Sequence, residues 1–104
     1  MPRREIKVSD LARADLASIF RYSREVWGEN RAVAYIDELD AGFKRIAERP
    51  EIGPGRSELL DGARGRLIAK HLVFYQVSDE RVVVLRVLHP AQDPLTLRGD
   101  GRDG

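Results

Sequence analysis

His71, His89, Lys70, Tyr75, Arg64, Arg66 and Arg86 are the residues of this chain whose types suit acid–base or phosphate chemistry. Breaking a phosphodiester without a metal needs a base for the attacking oxygen, an acid for the leaving oxygen and cations on the phosphate. Imidazoles can fill the first two roles near neutral pH. The two histidines stand eighteen positions apart, at the start of one predicted strand and the end of the next. In an antiparallel hairpin those ends lie side by side, so the rings can meet. The rest of the pattern argues against catalysis. After His89 the only cations are Arg98 and Arg102, and no tyrosine follows. There is no cysteine, no pair of carboxylates in one strand, no metal-ligand spacing and no nucleophile motif. The residues themselves therefore predict a binding site with no catalytic group, no metal and no cofactor.

Arg86 poses a separate question, because it lies within the apolar run Val82–Leu88. An unpaired buried charge costs several kcal/mol, so the guanidinium needs a carboxylate or a route to solvent. Asp61 and Asp93 are the candidate partners within the fold, and a carboxylate on a binding partner is the alternative. Strict alternation puts Arg86 on one face with Val82, Val84 and Leu88, and His89 on the other. Bland roles compete throughout: His89 before Pro90 as a strand end, His71 as a strand start, Trp27 beside Gly28 as a hairpin anchor.

These residues need elements to hold them. Glu5 to Val8 alternates as a short strand, and Ser9 or Asp10 can cap the helix that follows. Leu16, Ile19, Phe20, Ser23, Val26 and Trp27 recur at three- and four-residue spacing, an amphipathic stripe that Gly28 stops. A second helix, from near Asn30, carries Tyr35, Ile36, Leu39, Phe43 and Ile46 inward until Pro50. The linker Gly28–Asn30 permits only an antiparallel helical hairpin. The loop with Gly53-Pro54-Gly55 has no following GK[ST] and opens no helix, which argues against a nucleotide loop. Three strands then follow, Arg64–Ile68, His71–Val77 and Val82–Leu88, the last apolar on both faces and so central. The predicted fold is α+β, ordered β-α-α-β-β-β, with the helical hairpin on one face of a small, largely antiparallel sheet.

With 104 residues, 42% of them hydrophobic and 34% charged, the chain is expected to make one domain over residues 1–97 and a loose polar tail over 98–104. A net charge of +1 does not announce a nucleic acid or an anionic membrane as the main partner. No apolar run approaches a bilayer span, no signal peptide is expected, and absent cysteine suits a cytoplasmic setting.

Three stretches together resemble a known family: SDLARADLASIFRYSREVWG, AVAYIDELDAGFKRIAERPEIG and GARGRLIAKHLVFYQV…VVVLRVLHPAQD. The order of WG, L-x-x-x-F-x-x-I-A-x-x-P, H-x-x-F-Y and RVLH is similar to that of ParE-type toxins of bacterial toxin–antitoxin modules, within the RelE/ParE fold group. The resemblance covers roughly residues 5–95. It implies a toxin that inhibits DNA gyrase by binding, and a ParD-type antitoxin that neutralises it and touches DNA through its own ribbon-helix-helix half. A ribosome-dependent mRNA endonuclease of RelE type is the alternative on the same fold. Gln76 stands where members often carry arginine, and Pro90-Ala91-Gln92-Asp93 replaces a more basic ending. Under this reading Leu16, Phe20, Tyr35, Leu39, Arg64, Arg66, Lys70 and Arg86 are expected to meet the antitoxin. Arg86, His89 and Gln92 are expected to meet the target.

Overall fold

A computed structural model of the chain describes residues 4–58 and 60–92. The expected tail over 98–104 lies outside the described residues, as does Asp93. The elements are β1 (Glu5–Val8), α1 (Asp10–Trp27), α2 (Glu29–Glu48), β2 (Ala63–Ile68), β3 (His71–Val77) and β4 (Arg81–Leu88), with single 3-10 turns at Pro50–Ile52 and Pro90–Gln92. No helix among the described residues is long and apolar enough to cross a membrane.

Ser9, rather than Asp10, caps α1: its hydroxyl accepts the Ala12 N–H at 3.1 Å. The same hydroxyl donates to the Leu85 carbonyl, which ties the helix start to β4. The hairpin linker is shorter than the expected Gly28–Asn30. Gly28 alone joins the two helices, at φ 94° and ψ 165°, a backbone state that side chains resist. Its N–H closes α1 on the Arg24 carbonyl, and its own carbonyl opens α2 by accepting from Ala32. Both helices thus end and begin on one residue, and α2 folds back along α1.

The sheet runs β1-β4-β3-β2, with β1 parallel to β4 and the other pairs antiparallel. β4 is central, as its two apolar faces require. Val73 and Tyr75 from β3, Val82, Val84 and Val87 from β4, and Leu39, Phe43 and Ile46 from α2 form the core with Ala12. Strict alternation fails within β4. Phe74 pairs with Arg86 while Tyr75 pairs with Val84, so Leu85 is an extra residue in a bulge. The bulge puts Val82, Val84 and Val87 on the helix side. Arg86 therefore leaves the face expected for it and sits opposite Phe74 on the other.

β1 stops opposite Val84, and α1 covers the edge of β4 beyond it. Asp15 accepts the Val87 N–H at 2.9 Å and grips Arg86 through Nε (2.8 Å) and Nη2 (2.9 Å). The carboxylate facing Arg86 is thus Asp15, inside the fold, rather than Asp61. One side chain caps an exposed strand edge and neutralises the cation beside it.

Candidate binding cleft

The tip of the helical hairpin and the adjoining corner of the sheet enclose a cleft of about 850 Å³. From α1 it takes Ser18, Ile19, Tyr22, Ser23 and Trp27; from α2, Arg31, Tyr35 and Glu38. The β2–β3 turn supplies Ala69 and Lys70, β3 supplies His71, and His89 enters just past β4. The two strand ends meet as an antiparallel hairpin requires, and the His71 and His89 rings stand 6.0 Å apart, edge to face.

Hydrogen bonds hold both rings in place. The Tyr35 hydroxyl accepts the Lys70 N–H at 3.0 Å and lies 2.6 Å from His71 Nδ1. Burial pushes the Tyr35 phenol up, so at neutral pH it keeps its proton and shares a hydrogen bond with Nδ1. His89 Nδ1 accepts the Ala91 N–H at 3.1 Å. With Nδ1 accepting, His89 presents its Nε2–H as a donor. Desolvation first, and then the neighbouring His89, lower the pKa of His71, so it is neutral at pH 7. The tight β2–β3 turn that presents Lys70 holds Ala69 at φ 54°, a left-handed state unusual for alanine.

The other anticipated site residues scatter. Leu39 is fully buried in the core, so it supports the fold instead of offering a contact surface. Tyr75 is buried too; its hydroxyl accepts from Gly53 N–H at 2.9 Å and donates to the Pro50 carbonyl at 2.7 Å. Arg64 donates to the Gly53 carbonyl at 2.7 Å, and Arg66 reaches the Ile52 carbonyl at 3.5 Å, so both brace the turn after α2. Lys70 alone of that basic run lines the cleft. Leu16 and Phe20 are half-buried, and the Arg24 guanidinium lies 5.7 Å from the Phe20 ring centre. Gln92 is exposed and accepts the His89 N–H, which holds the turn after β4. Val26 and Trp27, read as part of the inward stripe, are 48% and 55% exposed at the hairpin tip.

Sequence reading missed Asp15, Tyr22, Arg31 and Glu38. Asp15 lies beside the buried stripe, where a carboxylate signals an internal partner. Arg31 and Glu38 stand one helical turn either side of Tyr35, a spacing that places all three near one face.

Residues 6–94 match the family model of the ParE toxin of the type II toxin–antitoxin system parDE. The chain belongs to the ParE toxin family. The toxin ParE1 of Caulobacter vibrioides is 39% identical over 87 residues, spanning 84% of this chain and 90% of that protein. The toxin ParE of Escherichia coli is 33% identical over 94 residues, covering 89% and 91%. In structure, a chain of the chromosomal ParDE toxin–antitoxin system of P. aeruginosa superposes with a TM-score of 0.71 over 84% of this chain and 96% of that one. At 19% identity that likeness concerns the fold. A chain of the RelBE2 toxin–antitoxin complex of Mycobacterium tuberculosis gives 0.61 at 25% identity, over 85% and 99%. In this ParE-family chain the matched region holds the whole cleft and, but for Glu5 at the start of β1, every element. The α+β hairpin-on-sheet fold expected from the sequence is the fold of these toxins.

Proposed function

We propose that this ParE-family toxin acts in the cytoplasm by binding DNA gyrase, without catalysis, and is neutralised by a ParD-type antitoxin. The observation that carries the reading is the family match across residues 6–94. The cleft chemistry supports it: both Nδ1 atoms are already engaged, His71 with the Tyr35 hydroxyl and His89 with the Ala91 N–H. The antitoxin segment lies over the hairpin tip and the cleft mouth, where Phe20, Tyr22, Trp27, Tyr35 and Lys70 offer apolar surface with a cation at its rim. An amphipathic segment in a groove is a common recognition mode. Leu16, Arg64, Arg66 and Arg86 shape that surface from behind, and His89 and Gln92 form the edge toward the target.

A RelE-type mRNA endonuclease is the second reading, favoured by the 6.0 Å approach of His71 and His89. Supercoiling by purified gyrase and primer extension on translated mRNA separate the two. The binding reading expects supercoiling to fall, mRNA to stay intact, and a folded His71→Gln, His89→Gln double variant to inhibit growth still. Cleaved mRNA that disappears in the double variant would overturn it. An antitoxin truncated to its DNA-binding half should not bind; full affinity for the truncated form would refute the masking model.

A further inference from the structure

The cleft has a composition that toxin neutralisation alone does not require. Three aromatic rings, Tyr22, Trp27 and Tyr35, stand around it with two imidazoles. Tyr22 is 65% exposed and Trp27 55%, so large ring surfaces meet solvent at the mouth. Arg31 lies over the Trp27 ring, 4.9 Å from its centre, and Lys70 stands at the opposite wall. Among the described residues, Glu38 is the only carboxylate in the lining. His89, whose Nδ1 accepts the Ala91 N–H, adds an Nε2–H, a donor to a negative oxygen. Rings for stacking, interleaved with cations and N–H donors, are the chemistry that holds an unpaired base and its phosphate.

We propose that this cleft binds an unpaired nucleobase together with its phosphate, which makes it a site for single-stranded nucleic acid. The inference goes beyond the toxin reading and stands whichever cellular target is inhibited. Tyr22 and Trp27 stack on the base, while Arg31 and Lys70 meet the backbone. DNA and RNA share this chemistry, and the experiment distinguishes them.

Trp27 is the only tryptophan of the chain, so its fluorescence reports directly from the cleft. The full-length protein is titrated with a labelled oligothymidylate and, separately, an oligouridylate, following label anisotropy and tryptophan emission. Saturable binding with quenching of Trp27, by either strand or both, is expected, and weaker binding at higher salt. Tyr22→Ala should weaken the complex by roughly tenfold, as loss of one stacking ring does. Arg31→Ala with Lys70→Ala should weaken it further and flatten the salt dependence, whereas Lys44→Ala, outside the cleft, should bind as wild type. These side chains lie at the surface, and circular dichroism checks that each variant is folded. Three results would overturn the proposal: neither strand binding saturably, cleft variants binding like wild type, or tripolyphosphate competing as well as an oligonucleotide. Saturation by an acidic, tyrosine-bearing peptide when neither strand binds would assign the cleft to a protein segment and overturn it too.

Discussion

Asp15 ties α1 to β4. It closes the edge of β4 and holds Arg86, and its own side chain is only 13% exposed. Asp15→Ala strands a backbone N–H and a partly covered guanidinium, and should cost about 2 kcal/mol. Arg86→Ala should cost about half as much, since Asp15 keeps the Val87 N–H and the arginine is 41% exposed. Urea unfolding measures both, and the reverse order would refute this account. His71 gives the pH dependence. Its native pKa lies below the ordinary 6.5, so the unfolded chain binds the proton more tightly. Its contribution to stability is complete above 6.5 and is lost as pH falls from there toward the lowered native value. Tyr35, Glu38, Arg31, Lys70, Tyr22 and His89 surround the ring. The urea midpoint should fall between about pH 7.5 and 5.5 by more in wild type than in His71→Gln; equal falls would place the titration elsewhere. The sequence revealed that Arg86 needs a carboxylate and that the two imidazoles can meet. It did not reveal Asp15, because the partner lies 71 positions away and only the packing of α1 on β4 brings it close.

At the scale of elements, the positive-φ turns at Gly28 and Ala69 make opposite predictions. Gly28 sits at φ 94° with nothing within 4 Å of the place a Cβ would occupy, so space is not the obstacle to a substitution there. Gly28→Ala should still destabilise by about 1–3 kcal/mol through backbone strain alone. Ala69 already carries such strain at φ 54°. Ala69→Gly should relieve it and raise stability by up to about 1 kcal/mol. Thermal unfolding checks both; a destabilising glycine at Ala69 would show that the turn is not strained. Helix and strand boundaries were readable to within a residue or two, because caps, Gly28 and Pro50 act locally. The Leu85 bulge was not, since a β-branched run looks the same with or without an extra residue. That single insertion moved Arg86 to the other face and kept Val87 in the core.

The whole molecule is nearly neutral but divided. α2 carries five carboxylates against three cations, whereas residues 63–92 carry five Lys and Arg against two acidic residues. A partner steered toward the sheet side should be acidic on the segment that meets it. Association with the antitoxin should slow as salt rises from low to physiological strength while dissociation changes little, as stopped-flow mixing would record. An association rate indifferent to salt would remove charge from the recognition. Arg64 and Arg66, expected from sequence to meet the antitoxin, hold carbonyls of the chain itself, so Arg31 and Lys70 are the cleft cations that steering can use.

The parallel pairing of β1 with β4 has a consequence for how the toxin is made. Ser9 and Leu85, which bond across that junction, are 76 positions apart. Contacts of such span close late, because the loop between them must be ordered first. As the chain leaves the ribosome, the helical hairpin can assemble from neighbours in sequence, but β1 has no strand to pair with until Arg81 onward has emerged. His89 arrives later still, so the cleft is finished only by nearly the last of the described residues. A chain cut short before β4 has neither the central strand nor the second imidazole, so β4 and His89 must be made before the cleft exists.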